Sequence, residues 1–331
     1  MNYKVKHMIC PICHSNAIKL NSLRLLNLID SSTYHCKKCG LYFREPLPDA
    51  KTINEYYSSR YFRYSDNIER NMAEVQSKFI IDGLKKIKIE PHKINYLEFG
   101  AGRGWVLSYL KRSGFLNSGM GFDSDPVSTQ WGEENLKVDL KAGFLCEDLV
   151  KEIGIHRSEI NFISLIHLLE HLDNPNKIIN IFQAYLHEHY LFLEVPDAEY
   201  EGPVMEVDTF PSSSMGQHFW SFSELSLRIL LENNNYEILF LERVGNPHYW
   251  DSRIDYLFIW KDYFKDREIM FECGIFSLRN ICISDFTMCV RISLMYLTNF
   301  FKKKNSRLNL PVIRILAKKK EIISNDEKYN S

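Results

Sequence analysis

Residues 96–105 read YLEFGAGRGW: an apolar, strand-like run reaches Glu98 and then breaks into glycine at Gly100, Gly102 and Gly104. A strand that turns through residues without side chains lets a ligand approach the backbone, and the helix that follows offers free N–H groups to it. A pyrophosphate fingerprint would be G-x-G-x-x-G. Here Trp105 stands where the third glycine belongs and Gly104 comes one position early, which weakens a dinucleotide reading. Asp123 ends the next apolar run, GMGFD, and 123 − 102 = 21 residues separate it from the middle glycine. An acid at that place can accept both hydroxyls of a ribose. The pattern asks for a ribose and an amino-acid-like head.

Outward from this turn the chain alternates. INYLEF is a strand, and WVLSYLKRS is a helix stopped by Gly114. GMGFD is a second strand, after which Asp125 caps a helix with Pro126 at its first position. AGFLCED and INFISLI follow as strands three and four, NPNKIINIFQAYLHE as a helix, YLFLEV as strand five, SELSLRILLENN as a helix and YEILFLERV as strand six. Residues 246–309 lose the alternation and form an aromatic-rich insertion, before VIRILAKK resumes as strand seven. Such alternation argues for an α/β fold with a mostly parallel sheet covered by helices on both faces. Residues 49–90 read as helical, with Tyr56, Tyr57, Tyr61 and Phe62 clustered on them.

Composition narrows the function classes. The 331 residues are 45% hydrophobic with a net charge of −1 and a pI near 6.8, so no global basic field points to nucleic acid. MNYKVKHMICPIC has no apolar run long enough for a signal peptide. The apolar late stretch is interrupted by Arg279, Asp285 and Arg291 and does not read as a membrane span. At most, residues 275–304 suit a weak contact with a membrane surface. The expectation is a cytoplasmic protein, where paired cysteines indicate metal rather than disulfides.

CPIC and CKKC supply those pairs. Cys10, Cys13, Cys36 and Cys39 have the spacing of a closed tetrahedral Zn²⁺ site that folds its segment rather than catalyses. Cys146, Cys273, Cys282 and Cys289 show no ligand spacing and read as packing residues.

The motifs together resemble the class I S-adenosylmethionine-dependent methyltransferases. The family's acidic-x-Gly-x-Gly-x-Gly turn is matched by Glu98, Gly100, Gly102 and Gly104, with Ala101 inside it, and its ribose-binding acid by Asp123. The acid after strand three, beside the adenine, falls on Asp148, and SLIHLLEHLDNP is similar to the family's segment after strand four. The resemblance covers about residues 90–245 and implies a Rossmann-like sheet of seven strands. A ribbon ending CGLYFREPLP, followed by a tyrosine-rich helix, is similar to bacterial members found with sugar and polysaccharide biosynthesis, though the large second domain of the sugar C-methyltransferases is missing. The implied division is a zinc ribbon over 1–48, a helical lid over 49–90 that brings Tyr57 to the cofactor, a methyltransferase domain over 91–320, and a frayed tail over 321–331.

A hydroxyl acceptor needs a base, and histidine is the usual group. His167 and His171 follow strand four, and His218 in QHFWSF should face the same cleft. His218 also matches the base of the sugar C-methyltransferases. The expected activity is methylation of a saccharide, at a hydroxyl ahead of a sugar carbon, with no nucleic-acid partner. HLLEH with a later QHFWSF is also similar to the divalent-metal site of small-RNA and ubiquinone-pathway O-methyltransferases, with His167 standing where their first glutamate would be. A third reading is a non-catalytic protein whose ribbon and insertion bind a partner.

Overall fold

The computed structural model describes residues 8–26, 28–60, 66–199, 201, 217–245 and 311–320. The 246–309 insertion, the 275–304 stretch, the tail, Tyr61, Phe62, Cys273, Cys282 and Cys289 lie outside them.

The described chain opens with four strands, β1 (Met8–Ile9), β2 (Asn16–Leu25), β3 (Ile29–His35) and β4 (Tyr42–Glu45). Two helices follow, α1 (Ala50–Arg60) and α2 (Asp66–Lys86). The alternating core comprises β5 (Ile94–Phe99), α3 (Trp105–Arg112), β6 (Leu116–Asp123), α4 (Pro126–Leu136), β7 (Asp139–Ala142), α5 (Glu147–His156) and β8 (Phe162–Ile166). A 3-10 turn (Leu169–His171) leads to α6 (Pro175–Tyr185), β9 (Tyr190–Pro196), β10 (Trp220–Ser221), α7 (Glu224–Asn233), β11 (Tyr236–Gly245) and β12 (Pro311–Lys319).

Seven strands form one sheet in the order β11-β12-β9-β8-β5-β6-β7. β12 runs antiparallel to both neighbours, and the pairs from β9 to β7 are parallel. This is the Rossmann-like methyltransferase sheet that the resemblance implies. The central strand β8, FISLI, is buried at every position, as expected where helices cover both faces. Local signals set the helix starts. Asp125 accepts from Val127 N ahead of Pro126, Asn174 accepts from Lys177 N ahead of Pro175, and Ser223 accepts from Ser226 N.

One boundary differs from the sequence reading. Strand three is DLKA (Asp139–Ala142), and FLCED leads into α5, with Glu147 and Asp148 in its first turn. Two acids at a helix N-terminus suit the helix dipole, and that preference outweighs the apolar run before them. Cys146 is exposed rather than packed.

The N-terminal strands do not close on themselves. Their antiparallel sheet has the order β1-β2-β3-β4-β10, so its fifth strand comes from the segment after β9. One continuous hydrophobic cluster joins Cys10, Ile12, Cys36 and Cys39 to Phe219, Trp220, Phe222, Leu227 and Leu230.

Candidate active site

The glycine turn sits at the carboxyl end of β5, stitched to the end of β6. Gly100 N and Ala101 N both donate to Phe122 O, at 2.8 and 3.0 Å, and Gly104 N donates to Ala101 O at 2.7 Å. Gly100, Gly102 and Gly104 all have positive φ (73°, 52° and 74°), a conformation that favours glycine. Their surroundings differ. A Cβ on Gly104 would lie 2.9 Å from Leu140 Cδ1, and one on Gly100 would lie 3.2 Å from Leu168 Cβ. A Cβ on Gly102 would meet nothing within 4 Å. The middle glycine therefore borders an open cradle, while its neighbours fit against β7 and the segment after β8.

Asp123 shapes that cradle. One carboxylate oxygen accepts from Gly102 N at 2.7 Å and the other from Asp125 N at 2.8 Å. Glu98 is 2% exposed, and its Oε2 has no hydrogen-bond partner. Burial, with the Asp123 charge adding to it, pushes the Glu98 carboxyl up to about 8. An unpartnered buried oxygen beside an open glycine turn fits a ligand that brings its own donors. Asp148 stands exposed in the first turn of α5, beyond the end of β7.

The raised Glu98 carboxyl has a signed consequence. Between about 4.5 and 8 the folded chain keeps a proton that the unfolded chain has lost, so stability should fall as pH rises through that window. In ligand-free protein, Glu98→Gln should flatten the dependence of melting temperature on pH over this range. Parallel curves for variant and wild type would contradict the assignment.

The histidines converge at the end of β8, next to β5 in the sheet. His167 has a left-handed backbone (φ 50°), and its two ring nitrogens face two carboxylates: Nδ1 is 3.3 Å from Glu170 Oε1 and Nε2 is 3.1 Å from Glu194 Oε1. Loss of solvent alone would lower its pKa, but the two glutamates outweigh it and raise the pKa to about 10. This setting favours an imidazolium braced between the two carboxylates. Glu194 is held in turn by Arg314 on β12 and by Gln76 Nε2 at 2.6 Å.

His171 and His218 are placed differently. Their rings lie edge-to-face with centroids 4.6 Å apart. Tyr57 donates to Gln217 O at 3.3 Å, and His171 Nδ1 lies 2.8 Å from the Tyr57 oxygen and 3.0 Å from the same carbonyl. These partners place the ring proton on Nδ1 and leave Nε2 as an acceptor. Loss of solvent, and then the His218 charge, lower His171 to about 4, so it is neutral at pH 7. His218 Nδ1 is hydrogen-bonded to Glu201 Oε1, and although loss of solvent opposes it, the Glu201 charge raises the His218 pKa. Glu170 is fully buried with its Oε2 unpartnered, and Glu170, His171 and His218 each offer a ligand atom within 4.8 Å of the others. Tyr57 is built into this cluster.

The four predicted metal cysteines also converge, each offering its Sγ within 4.8 Å of the others. The sulfurs of Cys10 and Cys39 are 3.6 Å apart, and those of Cys13 and Cys36 are 3.4 Å apart. A tetrahedron with Zn–S of ~2.3 Å places its sulfurs about 3.8 Å apart, close to these values. The two C-x-x-C turns repeat one another. His14 N donates to Cys10 O and Gly40 N to Cys36 O, and both donors have positive φ (56° and 73°).

Glu194, Arg314, Glu201 and Gln217 belong to these clusters and were not singled out from the sequence. The first two carried a signal, a lone charge within each of the apolar runs YLFLEV and VIRIL, but only strand order shows that Arg314 faces Glu194 across β12 and β9. The other two lie on either side of a long connection and carried none.

A methyltransferase-domain family model matches residues 64–241. No curated protein matches the chain. Among solved structures, the chain is similar to a putative sarcosine dimethylglycine methyltransferase from Galdieria sulphuraria, at 14% identity and a TM-score of 0.52, covering 83% of this chain and 99% of that one. It is also similar to a SAM-dependent methyltransferase from Anabaena variabilis, at 9% identity and a TM-score of 0.49, covering 82% and 93%. The plantazolicin methyltransferase BamL, solved with a triazolic desmethylPZN analog and SAH, is similar at 14% identity and a TM-score of 0.47, covering 83% and 92%. At such identities the likeness concerns the fold. No helix among the described residues is long and apolar enough to cross a membrane. With the family model spanning more than half of its length, the chain belongs to the methyltransferase-domain family.

Proposed function

We propose that the chain is an S-adenosylmethionine-dependent O-methyltransferase with His218 as the base. The observation that carries this reading is the open cradle at Gly102, bordered by Glu98 and Asp123, with His171 and His218 gathered at the end of the adjacent strand β8, each with its Nδ1 on an oxygen. When bound, the cofactor supplies an electrophilic methyl on a sulfonium. The chain's own part is positioning and proton removal. Asp123 fixes the glycine turn and stands where ribose hydroxyls would sit. Glu201 orients the His218 ring and stabilises its protonated form, so that Nε2 can take a hydroxyl proton as transfer proceeds. A saccharide acceptor is supported by the order of ribbon, tyrosine-rich helix and core. It is tested by incubating nucleotide-sugars with radiolabelled cofactor, and labelling of other acceptors alone would discard it.

A second reading is favoured by Glu170, His171 and His218. Their three converging ligand atoms, one an unpartnered buried carboxylate oxygen, suit a divalent ion that would acidify the acceptor hydroxyl. Each imidazole already gives its Nδ1 to an orienting oxygen, Gln217 O or Glu201, as ligating histidines do.

We further propose that Cys10, Cys13, Cys36 and Cys39 hold one structural zinc. Elemental analysis should find one zinc per chain and its loss in Cys36→Ser. Zinc-free wild type, or zinc retained by that variant, would refute the site.

A further inference from the structure

The cysteine turns and the histidine loop are tied at several points. β10 pairs antiparallel with β4, Trp220 opposite Phe43 and Ser221 opposite Tyr42. Arg44 N donates to Phe219 O at 3.0 Å, one residue after His218. Ser223 Oγ donates to the carbonyl of Cys39, itself one of the four thiol residues. That serine packs against Gly40, where a Cβ would come within 3.0 Å of both its Cβ and its Oγ. Ser223 also caps α7, and at the far end of that helix Asn233 Nδ2 donates to Ile12 O at 3.4 Å, inside the first cysteine turn. Both cysteine turns therefore rest on α7, one at each end.

The same segment is held from its other side by the histidine-bearing turn. Phe219 N donates to Glu170 O at 2.8 Å, and Trp220 Nε1 donates to Leu172 O at 2.7 Å. From α1, Tyr56 OH accepts from Gln217 Nε2 at 3.1 Å. Residues 217–223 thus lie between the cysteine module and the carboxyl end of β8, with His218 at the entry to that clamp.

We propose that the four-cysteine module is a positioning element of the active site, whose occupied metal site holds β10 and Ser223 and thereby sets where His218 stands. The proposal rests on the zinc and His218 readings above. Its physical content is that the β4 edge and the Cys39 carbonyl are ordered by closure of the cysteine turns. Closure of those turns by a metal adds to the hydrophobic cluster that the module shares with residues 219–230. The glycine turn, built on β5 and β6, makes no such contact among the described residues and should be indifferent to the metal.

The test is hydrogen exchange on the full chain, before and after zinc is stripped with a thiol-directed mercurial and a chelator. Exchange in peptides spanning 217–223 should speed up at least tenfold on stripping, while peptides over 94–104 and S-adenosylhomocysteine affinity stay within twofold. Readdition of zinc should restore protection. Unchanged protection over 217–223 in zinc-free protein would overturn the proposal, whatever happens to activity.

If stripping unfolds the whole chain, Ser223→Asp decides. Aspartate keeps the helix cap but cannot donate to Cys39 O, and Ser223→Thr keeps both roles. The proposal expects zinc bound in both variants, faster exchange over 217–223 and lower turnover in Asp alone, and normal behaviour in Thr. Wild-type exchange in Ser223→Asp would overturn it. Faster exchange with unchanged turnover would keep the clamp and reject His218 as the base.

Discussion

Gly102→Val should leave the chain folded and weaken S-adenosylhomocysteine binding by roughly a hundredfold or more, about 2.7 kcal/mol. The argument lies in the contrast between neighbours. At Gly102 an added Cβ meets no described atom within 4 Å, so a side chain there enters the cradle and competes with whatever lies in it. The backbone cost of a β-branched residue at φ 52° lowers the melting temperature without removing the core. Gly104→Ala should behave in the opposite way, since its Cβ would press on Leu140 and Val138 and so strain the packing of α3 on β7. Asp123→Ala should lose binding as well, because Gly102 N and Asp125 N lose their acceptor and the turn its anchor. Calorimetry and thermal melts on the three variants separate a ligand site from a structural turn. Normal binding by Gly102→Val, or binding of NAD in place of S-adenosylhomocysteine, would end the assignment.

The glycine turn was legible because it is local. Strand end, turn and helix start are consecutive, and the positive φ angles they need favour glycine. The cysteine quartet was legible for a related reason, two short turns each closing on themselves. Strand three was misjudged because FLCED is apolar enough for a strand, while Glu147 and Asp148 better suit a helix start. The histidine cluster was legible only in part. Sequence placed His167, His171 and His218 in one cleft but not their roles, which depend on partners from distant elements. The carboxylates beside the two nitrogens of His167, from Glu170 and Glu194, come from different elements. His218 gains its partner from Glu201, 17 residues earlier, and the segment that follows His218 is fixed by a strand pairing with the cysteine module. Pairing between β4 and β10 spans most of the core in sequence, and no periodicity announces it.

His218→Ala should lower turnover by roughly a hundredfold or more with cofactor affinity intact, and the accompanying profile distinguishes the two mechanisms. If His218 acts as a general base, its imidazole must be neutral to accept a proton, so activity rises with pH. Because Glu201 raises the His218 pKa, that rise should be centred above the ordinary histidine value of 6.5. Glu201→Gln removes the charge that raises it, so the midpoint should move down in pH even as maximal turnover falls. Chelators that spare the cysteine site should then have no effect. A metal-assisted site predicts otherwise: added divalent ion raises the rate, and Glu170→Gln, His171→Ala and His218→Ala each abolish that dependence by removing a ligand. His167→Ala should be severe in either case, since it leaves the buried Glu170 and Glu194 carboxylates without their shared cation. Its loss would therefore read as lowered stability together with lowered turnover, whereas His218→Ala lowers turnover alone. Wild-type turnover by His218→Ala would contradict both mechanisms and move the search for the base to Tyr57 or to the region between strands β11 and β12.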